Sequence, residues 1–549
     1  MHGIWAIARH TLAHCLRMKM AGTLIVLLLL SLVVLPMVIQ GDGTLAGRTR
    51  TLLAYGAGIT ALLLSVVTLL LSAGVIASDV RTKQVFTVAT KPVSRWQYVL
   101  GRWLGVVVFD ILLLAVSTVA VYAFAQQLRR QEALNPMDRR TVETEVFVAR
   151  RQIAPKPSDI ATLFERKRKQ LQEENRYQEA LDALRRTKTN GDEQEAREIL
   201  EEQIRSDAAS EAQSVGPGGH FRWRFHGIAL AGTELRETGW VVSTDPQDGT
   251  LRISASRPFL GRLVYGGPVR VNAVDLRVTR LAEDFFEVRP TLDDRAGGRL
   301  AALIPGAFAD IVADPTIQIS FKASPAVAPS DKLLRSFWEI INPASGLRYM
   351  EFRTDPVETP ATLTVSARLV DPNGQLEVGY LNLPDSAGRS TSVTILDRDV
   401  SVLYHSSGGF EGNFLRAMGL VLLQLVFLAA VGVFAGSFLS FPVACLIGFA
   451  TLPLSMARGF LSDSLRVNTH MPSALDALTI VGAWAYRVVQ VLLPDFAQTS
   501  PVDWLVGGLN ISWEHLGQVA VLTLLARAAP ILAIACLIFH KRELARVQV

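Results

Sequence analysis

The chain has 549 residues, half of them hydrophobic, with a mean hydropathy of +0.29 and a net charge of +5. That length allows two or more domains, and that hydropathy excludes an ordinary soluble enzyme. The basic excess lies largely in loops beside apolar runs, so it reads as membrane topology and argues against nucleic-acid binding. Cys15, Cys445 and Cys536 all fall in or beside the apolar ends, which leaves the middle, Gln127 to Gly412, without a disulfide framework or a cysteine zinc site.

Residues 1–20 alternate Ile4, Ile7, Leu12 and Leu16 with basic side chains, the pattern of an amphipathic helix lying in a membrane surface. Ala21 to Gln40 is an apolar run of spanning length, longer than a signal-peptide core and without a small-x-small cleavage site, so it reads as a retained transmembrane helix. A second span follows from Leu52 to Ala77 and a third from Gly101 to Ala125. Between them, residues 78–100 carry Arg81, Lys83, Lys91 and Arg95 in a short polar stretch, and such positive loops stay on the cytoplasmic side. Asp110, inside the third span, is costly there unless paired or hydrated; it suits either a bond to a neighbouring helix or a transport role.

By this count residues 126–413 are extracytoplasmic. Residues 158–212 read as a helical hairpin, with Ile160, Leu163, Phe164, Leu171, Tyr177, Leu181 and Leu184 on one arm and Ile199, Leu200 and Ile204 on the other. Residues 220–410 change to period two, in runs such as His220–Phe225, Thr316–Phe321, Thr362–Ala367 and Thr391–Leu396, with turn signals at Asp248-Gly249, Gly266-Gly267 and Asp371-Pro372-Asn373-Gly374. The expectation is a β-sandwich-like part, with Trp223, Trp240, Tyr265 and Trp338 as core aromatics. His220 and His226 share a strand face, but no acid or cysteine joins them into a metal site.

The region 414–549 supplies three more spans: Phe414 to Phe438, Pro442 to about Gly459, and Leu516 to Phe539. Between the last two, residues 474–493 are apolar but contain Asp476, Arg487 and Gln490, and read as an outer helix only partly inserted. Six crossings place the basic tail after Phe539 in the cytoplasm, as its charge requires. Arg527, midway along the final span, must face protein or water, and Asp110 is a candidate partner for it. The fold class is therefore an α-helical polytopic membrane protein, with six transmembrane helices and an inserted α+β extracytoplasmic domain.

No phosphate-binding glycine loop, dinucleotide fingerprint, lipase-type nucleophile or paired histidine motif occurs, so the chain reads as non-catalytic and without a cofactor or metal of its own.

The stretch Ala77 to Gly105 resembles the cytoplasmic coupling segment of ABC-2 type transporter permeases. An acid, a basic-Thr pair, an apolar patch, a Lys-Pro-Val-Ser-Arg run and a Gly-basic pair are matched by Asp79, Arg81-Thr82, Val85-Phe86, Lys91-Pro92-Val93-Ser94-Arg95 and Gly101-Arg102. Asp79 replaces the family's usual Glu and Arg102 its usual Lys, both with charge kept. The chain end, Leu493-Pro494-Asp495-Phe496 followed by a last span closing on His540-Lys541-Arg542-Glu543-Leu544, is similar to the same family. The resemblance covers about half the chain and omits the middle domain. It implies a permease subunit in the cytoplasmic (inner) membrane, working as a homo- or heterodimer among membrane lipids. Separate cytoplasmic ATPase subunits would carry ATP and Mg, and the substrate would be exported or acted on mechanically. Asp79, Arg81, Thr82, Lys83, Val85, Phe86, Lys91, Pro92, Ser94 and Arg95 would form the ATPase-coupling surface, with the apolar pair as contact and the charges as rim. The rival reading is a non-transporting, membrane-anchored binding or sensor protein.

Overall fold

A computed structural model describes residues 2–38, 43–81, 94–156, 160–173, 176–187, 193–216, 218–230, 234–244, 250–260, 263, 266–272, 274–282, 284–290, 305–329, 331–384, 388–389, 391–467 and 491–541. The chain divides into two compact units: residues 1–134, 141–149 and 408–549 form the first, and residues 135–140 and 150–407 the second.

The first unit is helical. Its longer helices are α1 (His2–Arg17), α2 (Lys19–Val38), α3 (Leu45–Arg81), α4 (Arg95–Arg129), α5 (Phe410–Phe438), α6 (Phe441–Val467) and α7 (Trp513–Lys541). Among the described residues five helices are long and apolar enough to cross a membrane: Leu45–Asp79, Arg95–Arg129, Phe410–Phe438, Phe441–Arg458 and Trp513–Lys541. The first expected span forms the 20-residue helix α2. Residues 474–490 and the tail 542–549, where a partly inserted helix and a cytoplasmic terminus were expected, lie outside the described residues.

Small residues decide how these helices pack. A Cβ on Gly432 would sit 1.8 Å from Ser72 Oγ, and one on Gly436 would sit 2.6 Å from the Ala73 carbonyl oxygen. The four-residue glycine spacing on α5 thus brings its backbone against α3, the close approach that small-xxx-small patterns permit. These two helices bury 67% and 72% of their apolar windows, against 17% for α6 and 22% for α7, so α3 and α5 form the centre of the unit. Val26, Leu30, Ile111, Val119, Leu446 and Leu537 point outward and are exposed. A belt of this kind would aggregate in water and is an ordinary surface in lipid.

α1 does not lie apart as an independent surface helix. Cβ atoms on Gly101 and Gly105 of α4 would lie 2.7 Å from Ile7 Cβ and 2.4 Å from Thr11 Cβ, so α1 packs backbone-close along α4. Its amphipathic pattern buries Ala8, Thr11 and Cys15 in that contact.

The second unit carries three helices between residues 160 and 212. The expected first arm of the hairpin is two helices, Ile160–Glu173 and Arg176–Thr187, and the second arm is Glu193–Ala212. Phe164, Tyr177, Leu181, Ala196, Leu200 and Ile204 make their common core, largely the stripes read from helical periodicity.

The strands are β1 (Val148–Ile153), β2 (Ser214–Val215), β3 (His220–Phe225), β4 (Leu235–Thr244), β5 (Leu251–Ser254), β6 (Pro268–Val271), β7 (Val274–Leu281), β8 (Phe285–Pro290) and β9 (Phe308–Ala313). They continue with β10 (Thr316–Phe321), β11 (Ser324–Pro325), β12 (Leu333–Ile341), β13 (Arg348–Pro356), β14 (Ala361–Ser366), β15 (Leu376–Asn382), β16 (Val393–Thr394) and β17 (Ser401–Gly409). Two four-stranded sheets, β1-β17-β10-β14 and β13-β12-β15-β3, share one core and form the expected sandwich. Phe321 of the first sheet meets Trp338 of the second with ring centroids 4.2 Å apart. A small third sheet runs β11-β16-β2.

The sandwich is not the whole of the β-region. Strands β4-β5-β8-β7-β6-β9 close into a six-stranded barrel with its own core, including Val241, Ile253, Leu276, Phe286 and Ile311. Closure comes from β9 pairing with both β4 and β6, which ties Leu235 to Ala313 and Val271 to Ile311. Closing the sheet removes its free edges. Trp223 and Trp338 are core aromatics as expected, whereas Trp240 is 40% exposed on the barrel's outer face, edge-on to Phe308 at 4.6 Å. Tyr265 lies outside the described residues.

The turn at Asp371–Gly374 forms as its sequence requires. Asp371 Oδ1 accepts from the Asn373 and Gln375 amides at 2.8 and 2.7 Å, and Gly374 takes a φ of 73° that a side chain would strain.

Candidate functional site: a buried polar knot beside the 78–100 segment

The 78–100 stretch joins two helix ends. α3 runs to Arg81, α4 begins at Arg95, and Thr82, Lys83, Val85, Phe86, Lys91 and Pro92 between them lie outside the described residues. Ser94 caps α4: its amide donates to Gln97 Oε1 at 3.2 Å, one half of a capping box.

Tyr98 and Arg102 follow Ser94 at four-residue intervals and share one helix face. Both reach Asp79 near the end of α3: the Tyr98 hydroxyl and the Arg102 guanidinium donate to the same Oδ2. Arg102 also donates to Thr11 Oγ1 of α1 at 3.3 Å and lies 5.2 Å from the Tyr98 ring centroid. The Tyr98 ring stacks on Phe539 of α7 with centroids 5.4 Å apart. Arg95 donates to the His540 carbonyl oxygen at 2.5 Å, at the last turn of α7. One cluster therefore ties four helices, α1, α3, α4 and α7, at the mouth of the segment.

The Asp79 and Arg102 side chains are each 4% exposed. A pair so deeply withdrawn from water is favourable only because its hydrogen bonds are made. Asp79 was expected on a docking surface; its burial makes it a positioning residue between helices. Arg81, Ser94 and Arg95 are exposed, as a surface role requires. Trp96, 50% exposed beside Arg95, is a surface apolar group that the sequence reading passed over. Tyr98 and Thr11 were also passed over, although the spacing Ser94, Tyr98, Arg102 marks a single helix face and Gly101-x-x-x-Gly105 marks a close partner helix.

The two charges expected inside the membrane, Asp110 and Arg527, are not brought together. Asp110 is fully buried on α4, its Oδ1 receiving the Thr68 hydroxyl of α3 at 2.9 Å, while Oδ2 has no hydrogen-bond partner. Arg527 instead donates from Nε to the Val491 carbonyl oxygen at 3.4 Å. The suggested Asp110–Arg527 pair is thus corrected. Asp110 turns toward a hydroxyl on the adjacent helix, and Arg527 sits in a π-helical stretch, Leu522–Ala528, which rotates the side chains of α7 away from a simple α-helical count. Arg458 makes a parallel contact, donating to the Leu493 carbonyl oxygen at 2.9 Å, so two arginines bind the backbone around residues 491–493.

No protein-family model, no curated protein and no solved structure matches this chain.

Proposed function

We propose that the chain is the membrane subunit of an ABC-2 type transporter, crossing the cytoplasmic membrane six times and carrying residues 126–413 outside. ATP would be hydrolysed on separate cytoplasmic subunits docked at the 78–100 segment, and a second permease chain would complete the transporter. The observation that carries this reading is the knot: Asp79, Tyr98, Arg102 and Arg95 link both ends of the segment to α1 and to the end of α7. A push on a segment anchored in this way moves several packed helices as a body, which is what coupling to a partner's closure needs. Val85, Phe86 and Trp96 would give the docking face its apolar contact, and Arg81, Lys83 and Arg95 its charged rim.

Substitution tests this directly. Phe86→Asp or Arg95→Glu should abolish co-purification of an ATPase subunit from native membranes while the protein remains inserted; co-purification untouched by both changes refutes the docking site. The orientation is checked by labelling single cysteines: Ser386→Cys should react from outside the cell and Lys83→Cys only after permeabilisation.

A further inference from the structure

A cavity of about 380 Å³ opens in the second unit where the barrel meets the sandwich. That size is within the range of small-molecule sites, and boundaries between folded bodies are where such sites concentrate. Its walls include Asp275 and Arg277 of β7, Leu347 just before β13, Arg348 and Met350 of β13, and Arg368 after β14.

The floor is fixed. Arg277 forms an ion pair with Glu351 and donates from Nε to the Gly266 carbonyl oxygen at 2.6 Å, so barrel and sandwich are clamped beneath the cavity. The rim is looser. Arg368 Nη1 lies 3.8 Å from Asp275 Oδ1, and Arg348 Nη1 lies 3.2 Å from Glu339 Oε1. A well-made charged hydrogen bond runs at about 2.7–2.9 Å, so both arginines keep donor capacity for a better acceptor. They stay 42% and 62% exposed.

Leu347 and Met350 on the same wall are 38% and 41% exposed, apolar surface that nothing in this unit covers among the described residues. The lining therefore offers cationic forks beside an uncovered apolar patch, with three arginines against one carboxylate.

We propose that this cavity binds a small amphipathic anion, with its acid group on the rim arginines and its apolar body over Leu347 and Met350. The site stands on the barrel–sandwich geometry alone and does not depend on the transport reading.

The test uses the full chain in phosphatidylcholine nanodiscs with photoreactive diazirine analogues of decanoate, decyl phosphate, decanol and decylamine. Saturable labelling of the 346–350 peptide by the carboxylate or phosphate probe, displaced by unlabelled decanoate, is the expected result. The ratio of those two probes tells a carboxylate ligand from a phosphate one. Arg348→Ala combined with Arg368→Ala should reduce that labelling about tenfold, the scale of a lost charged hydrogen bond. Should that double variant fail to fold, Leu347→Asp alone should remove the labelling by closing the apolar half. Equal labelling by the alcohol or amine probe, labelling unchanged in the variants, or no saturable labelling overturns the proposal.

Discussion

Arg102 and Asp79, 23 residues apart in the chain, meet as an ion pair almost wholly withdrawn from solvent, with the Tyr98 hydroxyl on the same carboxylate oxygen. Cutting one partner leaves the other charge buried and alone, which typically costs about 3–5 kcal/mol. Asp79→Ala and Arg102→Ala should therefore each lower the thermal stability of the detergent-solubilised protein strongly. The double variant should lose much less than the sum. Additive losses would show that the two residues act independently. Arg102→Lys should rescue only partly, because an ammonium cannot serve Asp79 and Thr11 from one planar fork.

Gly105 faces α1 with no room for a side chain: a Cβ there would fall 2.7 Å from the Ala8 carbonyl oxygen, which cannot move aside as a flexible side chain could. Gly105→Ala should cost about 1–3 kcal/mol, as overpacking does, and should raise protease access to residues 2–17. Gly22→Ala is the control, since nothing lies within 4 Å of its added Cβ. Equal behaviour of the two variants would mean that α1 is not held as described.

Trp338 and Trp240 carry the same side chain into opposite surroundings. Trp338 is fully buried against Phe321 and Tyr380, whereas Trp240 is 40% exposed. Trp338→Ala should destabilise the second unit by about 3–5 kcal/mol. Trp240→Ala should cost only about 1 kcal/mol, the worth of its edge-on pair with Phe308. Chemical denaturation followed by tryptophan fluorescence separates the two.

The pH dependence of the second unit has a contributor of definite sign in Asp275. Partial desolvation raises its carboxyl above the ordinary value although the side chain stays 58% exposed, with Arg368 and Arg270 opposing the shift and Asp314 adding to it. A raised acid favours the folded state while protonated, so its contribution is present below the usual carboxylate range near pH 4 and is lost as pH rises through the higher folded value. Asp275→Asn should remove that part of the loss. Stability curves for both proteins across mildly acid pH, differing in slope in this direction, check the assignment.

The long apolar helices were legible because an apolar run of spanning length needs no partner to announce itself, and Leu52 to Ala77 lies wholly inside α3. Period-two runs marked β3 and β10 to the residue, since Trp223 and Phe225 of one and Ile317, Ile319 and Phe321 of the other alternate into the sandwich core. The run Thr391–Leu396 yields only the two-residue β16, because period two says nothing about whether a partner strand is at hand. Barrel closure was not readable for the same reason: it rests on pairing Leu235 with Ala313, a matter of long-range register. At the candidate site, charge and motif drew attention to Asp79 and Arg102, but only packing against Tyr98 and Thr11 shows that they face inward. Asp110 found Thr68 and not Arg527, since hydropathy fixes the depth of a residue and leaves its rotation about the helix axis free.

The bond from Arg95 to the His540 carbonyl carries a consequence for synthesis. The two partners are 445 residues apart, so the guanidinium is made long before its acceptor. Chains emerge and fold from the N-terminus onward. Until the last helix arrives, the start of α4 lacks this tether and Tyr98 lacks the ring of Phe539 beneath it. The knot is a late fastening: only a chain built past His540 can close it, and a product cut short before α7 carries the same segment with its anchor open.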